Sequence, residues 1–249
     1  MKKVKKIFVG TLHSGEQEFE QSKKMIALQE GVTVKHHIIS GLPEAEAHQT
    51  LWDDWSQSKE DFDLFVKVDA DTVLNGPDAL EKVAKLFCDN PDATGAQIPL
   101  RDYYSDKLII GLNCFTPEVV FNRVHSKINP DRVDSNHRII LRDEDVSSVS
   151  PIGRHGLDPC PRQAFFFGYH RAIKKQKSIL TDVSQAYTKL GGSGRLYALA
   201  GAMSVYFFSQ PLDYFSPAFD RKFKKALNNV NLEQNVNKFA KSLMGSGKR

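Results

Sequence analysis

The stretch Asp61-Phe62-Asp63-Leu64-Phe65-Val66-Lys67-Val68-Asp69-Ala70-Asp71-Thr72-Val73-Leu74 decides the fold, because a mostly apolar run ends there in two carboxylates. The run over 64–68 is short and rich in branched and aromatic side chains, which predicts a buried strand. Side chains alternate along a strand, so Asp69 and Asp71 project to the same side where it ends. Open α/β sheets bind ligands at this carboxyl edge. Two oxygen donors there suit a divalent cation, Mg²⁺ or Mn²⁺.

The chain before this stretch predicts two more strands, each followed by a helix. The strands cover 7–11 and 32–40, and the helices cover 16–30 and about 43–58. With the strand at 64–68, the order is βαβαβ. This alternation is typical of a parallel sheet with helices on both faces. We therefore predict an α/β fold with a mostly parallel sheet.

The chain after this stretch predicts further strands and then a helical region. Strands or strand-like segments are expected at 96–100, 111–115, 138–141 and 146–149, the last two as a hairpin or as two short strands. Helices are expected at 78–88, in the aromatic-rich second half of 154–172, at 181–190, at 196–208, and in part of the basic tail from 219. We predict a catalytic domain over 1–178 and a helical C-terminal extension over 179–249 packed on it.

Composition narrows the classes of protein. The chain has 249 residues, 41% of them hydrophobic, which is enough for one large α/β domain with an appendage. A net charge of +4 is too small to argue for a nucleic-acid partner. Three widely spaced cysteines favour a reducing compartment. The N-terminus predicts a first strand and not a signal peptide, and no apolar run has transmembrane length. We expect a cytoplasmic protein, with peripheral contact at the inner face of a membrane as an option for the basic tail.

Asp69-Ala70-Asp71 at the end of a third strand resembles the DxD motif of nucleotide-sugar-dependent glycosyltransferases of the GT-A fold. The resemblance covers roughly 5–175 and implies a GT-A-like, Rossmann-like sheet. In that family the motif holds a divalent metal that bridges the diphosphate of the donor. The resemblance therefore implies Mn²⁺ or Mg²⁺, with Asp71 as principal metal ligand and Asp69 sharing the metal or facing the ribose. It also implies a nucleotide-sugar donor, first of all a UDP-sugar, and a saccharide or lipid-linked acceptor, as in bacterial surface polysaccharide synthesis.

The same resemblance implies further ligand-binding residues. The first strand-to-helix turn contacts the nucleotide in this family, which would place Thr11, Leu12 and His13 near the base. A histidine from further along the chain often completes the metal site, and the segment 155–171 looks like part of bacterial glycosyltransferase-like proteins. His155, which follows a predicted strand, is preferred to His170, whose alternative is a packed helix residue. Three arginines are candidates for the phosphates: Arg154, Arg162 and Arg171.

Inverting members of the family need a carboxylate base that removes the proton of the acceptor hydroxyl. The candidates for this catalytic role are Asp131, Asp134 and Glu144, with Asp143 and Asp145 beside the last. No family motif selects among them. The inverting or retaining outcome is therefore open at the level of the sequence.

Two other classes of function compete with transfer. The motif at 69–73 partly resembles that of haloacid dehalogenase-like phosphatases, in which the first aspartate, here Asp69, is the nucleophile and the second an acid or base. That motif usually closes the first strand, whereas here it closes the third. The other alternative is a non-catalytic nucleotide-sugar binder. Aspartates after a strand also serve simply as turn formers or helix caps.

Overall fold

The computed structural model describes residues 4–125, 135–136, 138–206 and 209–245. Contacts divide the chain into two compact units. The sheet unit contains the described residues of 4–102, 108–125 and 135–157, and the helical unit contains 103–107 and the described residues from 158 onward. The division between these two units falls at 157/158, so the aromatic-rich helix belongs to the helical unit.

The strands described in the sheet unit form one mixed sheet. They are β1 Lys6–His13, β2 Thr33–Ser40, β3 Leu64–Lys67, β4 Thr72–Leu74, β5 Gly95–Asp102, β6 Leu108–Phe115, β7 Ile140–Leu141 and β8 Gly153–His155. Their order is β2-β1-β3-β6-β5-β8-β4, with β7 also paired to β5. The first three strands are parallel, as predicted. β6, however, runs antiparallel to β3 and β5, and β4 runs antiparallel to β8.

The α/β class is thus confirmed, but the prediction of a mostly parallel sheet is not. The connection explains the difference. Only 103–107 joins β5 to β6, and a parallel crossover needs a dozen or more residues. Both strands extend beyond their predicted bounds, towards each other, and this shortens the connection to one that permits only antiparallel pairing.

Helices cover both faces of this sheet, as the sequence predicts. The helices of the sheet unit are α1 Phe19–Ala27, α2 Glu44–Ser58 and α3 Ala79–Asp89. Val9 of β1 lies in one buried cluster with Ile26 of α1 and residues of α3. Its neighbour Phe8 lies in another cluster with Leu51 and Trp55 of α2. Successive strand residues face opposite sides of a sheet, so β1 is packed between helices on its two faces.

One short segment differs from its prediction. The apolar residues expected to form strands at 138–141 and 146–149 give only β7 and, after it, a 3₁₀-helix, Asp143–Val146. Val146 and Val149 are both buried. Two apolar side chains spaced three apart fit one face of a helical turn as well as a short strand, so the pattern alone did not separate them.

The helical unit packs five described helices around an aromatic core. They are α4 Pro161–Ile173, α5 Lys177–Leu190, α6 Ser193–Met203, α7 Pro217–Leu227 and α8 Leu232–Gly245. A Cβ at Gly168 would overlap the backbone of Ala198, and a Cβ at Gly201 would overlap the backbone of Phe165. α4 and α6 therefore cross with their backbones in close contact, which only glycine permits at these two positions.

Among the described residues, no helix combines the length and the apolar character needed to cross a bilayer.

Candidate functional site

The carboxyl end of β3 turns directly into β4. The backbone N–H of Thr72 donates to the carbonyl oxygen of Asp69 at 2.8 Å, which closes a tight turn around the two aspartates. β4 then pairs with β8, and Thr72 stands opposite His155 in that ladder. The N–H of Gly156 donates to the carbonyl oxygen of Asp71 at 2.9 Å. This backbone pairing brings Asp71 next to a histidine from a distant part of the sequence.

The imidazole of His155 lies between two carboxylates. Its Nε2 is 3.3 Å from Oδ2 of Asp71, and its Nδ1 is 2.7 Å from Oδ1 of Asp102. Asp102 is the last residue of β5 and stands beside His155 in the β5–β8 ladder. The side chains of Asp71, His155 and Asp102 are 19%, 11% and 2% exposed. Two strand pairings thus fix both ends of one ring in a nearly buried position.

The pKa values of Asp71 and His155 depend on the charges of their neighbours. Burial by itself lowers the pKa of His155, but Asp71 and Asp102 outweigh it and hold that pKa well above its ordinary value. Burial likewise raises the pKa of Asp71, but the His155 imidazolium, a hydrogen bond to it and the Lys67 ammonium hold the pKa of Asp71 below its usual value. Both carboxylates therefore favour the protonated form of the His155 ring.

Two further ionisable groups lie next to the DxD motif. The buried ammonium of Lys67 forms an ion pair with the carboxylate of Asp69. Glu16, in the loop after β1, accepts a hydrogen bond from the backbone N–H of Ser14 at 2.6 Å. Burial, followed by the negative charge of Asp71, raises the pKa of Glu16 to about 7. The site therefore holds more carboxyl groups than cationic groups.

The residues expected near a nucleotide base lie at the end of β1, but their side chains have different surroundings. The buried hydroxyl of Thr11 is 2.9 Å from Nε2 of His36. Leu12 packs against the cluster that contains α2. His13 stacks on Phe19 with ring centroids 3.8 Å apart. Of these three residues, His13 is therefore the one that presents an aromatic ring, stacked on Phe19, at this end of the strand.

The candidate arginines and the second histidine lie elsewhere. Arg154 is exposed in β8 and, as the strand neighbour of His155, points to the opposite face. In the helical unit, Arg171 lies over the ring of Phe167 at 4.8 Å and donates to Oε1 of Gln176 at 2.9 Å. Arg162 forms an ion pair with Asp220, and the ring of His170 stacks on that of Phe166.

Those candidate catalytic bases that the structure describes do not lie at this site. Glu144 is exposed on the 3₁₀-helix that follows β7, as are Asp143 and Asp145. β7 pairs with β5 at Gly95 and Ala96, about 20 Å along the strand from Asp102 at roughly 3.3 Å per residue. The other two candidates, Asp131 and Asp134, lie outside the described residues.

A cation at this edge would receive only part of its ligand shell from the described residues. Within the described ranges, no group of three or more His, Cys, Asp or Glu side chains is arranged to hold a metal ion. Asp71 and His155 do present one oxygen and one nitrogen to each other. Mg²⁺ and similar ions are often held by one or two protein side chains, with water and substrate phosphates completing the shell. The buried hydroxyl of Thr72, opposite His155, has no hydrogen-bond partner in the described part of the chain, so this edge also offers an unused polar group.

Sequence reasoning missed three members of this group, namely Asp102, Lys67 and Glu16. Asp102 carries the signal of an acidic residue that ends a strand. We predicted this strand over 96–100, whereas the sheet accommodates Pro99 at a register shift and β5 continues to Asp102. Lys67 lies within the apolar run before the DxD motif, and the sequence gives no signal that its ammonium is buried.

Comparison with known proteins adds no assignment: no protein-family model matches the chain, and no curated protein matches it significantly in sequence.

Proposed function

We propose that the chain is a metal-dependent glycosyltransferase of GT-A-like architecture, acting in the cytoplasm, that moves a sugar from a nucleoside-diphosphate donor to a saccharide or lipid-linked acceptor. One observation carries the proposal. Asp71 of the DxD motif and His155, the histidine preferred to His170 as a further metal ligand, meet at 3.3 Å at the carboxyl edge of the sheet. This is the edge where open α/β sheets take their ligands.

Asp71 and His155 would hold the divalent cation, which when bound neutralises the charge of the departing diphosphate. The nitrogen ligand favours Mn²⁺ over Mg²⁺, because Mg²⁺ takes oxygen ligands almost exclusively. Asp69 is held by Lys67, so its role would be to share the cation through its free oxygen or to face the ribose. The buried Lys67 ammonium acts on both aspartates. It is therefore a better candidate for a phosphate contact than Arg154, which faces the other side of the sheet.

The end of β1 would receive the nucleotide. The hydroxyl of Thr11 is already bonded to His36, so recognition of a base would fall to the His13 ring and to the backbone of the turn. A UDP-sugar is the first donor to test. The carboxylate base for the acceptor is not assigned, because Glu144 lies far from this edge and the other candidates lie outside the described residues.

Thermal unfolding with Mn²⁺ and a nucleoside diphosphate tests the proposal. Ligand at 100 times its dissociation constant stabilises the folded state by about 2.7 kcal/mol, so we expect a melting temperature several degrees higher with both present than with either alone. Asp71→Ala is expected to abolish this shift. The matched control is Asp182→Ala, which removes a carboxylate paired with Lys107 in the helical unit. No shift in the unmutated chain would contradict the proposal.

Turnover separates transfer from the two alternatives. A transferase hydrolyses or transfers the sugar of its donor only with the metal present, and loses this activity in Asp71→Ala. A phosphatase that used Asp69 as nucleophile would instead hydrolyse p-nitrophenyl phosphate and lose that activity in Asp69→Asn. A binding protein would show the thermal shift without consuming any donor.

A further inference from the structure

We propose that Asp102 is a positioning residue that holds His155 in the tautomer and orientation needed to bind the cation. The inference rests on the proposed function. Asp102 lies outside the DxD motif and comes from β5, a different strand from both proposed metal ligands. It does not face the cation site itself, because the imidazole of His155 lies between it and Asp71.

The geometry points to this role. At 2.7 Å, the Nδ1–H of His155 donates to the Asp102 carboxylate. A cation would displace the Nε2 proton to solvent, so that Nε2, which faces Asp71, binds the cation while Nδ1 keeps the proton that Asp102 accepts. A histidine that binds a metal commonly donates its other N–H to a carboxylate, which fixes the tautomer and the ring orientation.

The burial of Asp102 argues that its contact with His155 is not incidental. Asp102 is 2% exposed, and a buried carboxylate is costly unless its charge is paired. The sheet also fixes Asp102 in place, because Asp102 and His155 are register partners in the β5–β8 ladder. The carboxylate therefore approaches the ring from a rigid backbone.

Mn²⁺ binding to the full chain, followed by electron paramagnetic resonance, tests the role. Asp102→Asn keeps the size of the side chain but can donate an N–H to Nδ1, which favours the wrong tautomer. We expect this variant to bind Mn²⁺ about 10- to 100-fold more weakly. We also expect it to lose the spin-echo modulation of a directly coordinated imidazole nitrogen. Asp102→Glu, which restores a carboxylate, is expected to recover that modulation, and Asp182→Asn is expected to bind like the unmutated chain.

A double-mutant cycle separates positioning from general damage. If Asp102 acts through His155, then His155→Ala and the His155→Ala, Asp102→Asn double variant bind Mn²⁺ equally weakly. An additional loss in the double variant would overturn the proposal.

A measurement on the unmutated chain does not depend on any variant folding. With Zn²⁺ as a diamagnetic probe, ¹⁵N NMR of histidine-labelled protein is expected to show Nε2 of His155 coordinated and Nδ1 protonated. Coordination through Nδ1, or Asp102→Asn with unchanged Mn²⁺ affinity, would overturn the role of Asp102 and leave the proposed function standing. Failure of the unmutated chain to bind Mn²⁺ would overturn both.

Discussion

The two units surround their buried cationic groups differently. In the helical unit, the guanidinium of Arg195 donates to the carbonyl oxygens of Tyr103 and Tyr104, the latter at 3.1 Å, and lies 4.4 Å from the Tyr103 ring centroid. In the sheet unit, the imidazole of His155 lies between the carboxylates of Asp71 and Asp102. The first cation is held by neutral backbone and an aromatic face, whereas the second is held by charge.

This difference indicates that the charge of Arg195 serves the structure, whereas the charges around His155 are suited to binding a ligand. Carbonyl oxygens and the Tyr103 ring satisfy Arg195 within the protein and offer no charge to a ligand. The sheet unit instead gathers a surplus of acid, in which Asp69, Asp71, Asp102 and Glu16 accompany Lys67 and His155. A surplus of carboxylate at a sheet edge favours an added cation, so the proposed cation would bind in the sheet unit, whereas Arg195 has a structural role in the helical unit.

The largest effect is expected from removing the buried guanidinium of Arg195, which tests its structural role in the helical unit. Arg195→Ala removes the guanidinium donor from the buried carbonyl oxygen of Tyr104 and from the partly buried carbonyl oxygens of Tyr103 and Gly191. We expect the free energy of unfolding to fall by about 3 kcal/mol or more, measured by urea denaturation. The Mn²⁺-dependent thermal shift of the folded fraction should remain. Arg221→Ala, on the exposed side of α7, is the control, and a loss equal to the control's would refute the structural role of Arg195.

A smaller, pH-dependent effect on stability is expected from Glu16 in the sheet unit. Because the pKa of Glu16 is raised to about 7 by burial and by Asp71, the folded state favours the protonated carboxyl group. Its contribution to stability is therefore complete below pH 4.5, the ordinary value, and is lost as the pH rises through about 7. The full shift corresponds to about 3 kcal/mol, and partial exposure reduces the expected contribution to about 1 kcal/mol.

Glu16→Gln tests this dependence. The variant should be more stable than the unmutated chain at pH 8 by about 1 kcal/mol and no more stable at pH 4, as measured by urea denaturation at both values. Glu144→Gln, at an exposed position of the same unit, is the control. If the stability of Glu16→Gln and that of the unmutated chain depended equally on pH, then ionisation of Glu16 would not destabilise the folded state.

The smallest effect is expected for a solvent-exposed ion pair, which is neither a buried structural cation nor part of the proposed binding site. Lys107 and Asp182 in the helical unit are 2.7 Å apart, but their side chains are exposed to solvent by 53% and 32%. Exposed pairs contribute little, so Lys107→Ala should change the free energy of unfolding by less than about 0.5 kcal/mol. A change as large as that of Arg195→Ala would show that exposure is a poor guide to the role of charge in this unit.

Much of the sheet unit was predictable because its signals are local. The apolar run before Asp69 has the length and composition of a buried strand, and the order of elements up to Asp71 follows from residues close together in sequence. The position of the two aspartates at the end of that strand needed no more than the alternation of side chains. The helices on both faces followed from the same βαβαβ order.

The rest depended on pairing between distant segments. The direction of β6 follows from the true ends of β5 and β6, which lie beyond their predicted bounds. His155 was predicted as a metal ligand because the resemblance implies a histidine there and His155 follows a predicted strand, whereas the sequence around Asp102 does not show that it will pair with His155. Strand register is decided by neighbours in space, and no pattern around Asp102 records which strand will lie beside it.

The sequence by itself therefore determined that two carboxylates end a buried strand in an α/β chain, because burial and alternation act over a few residues. Only the tertiary structure decided that His155 lies between Asp71 and Asp102, and that Lys67 and Glu16 stand beside the motif. The physical reason is that charges interact through space over a few ångströms. The strands that supply them meet only once β5, β8 and β4 have paired.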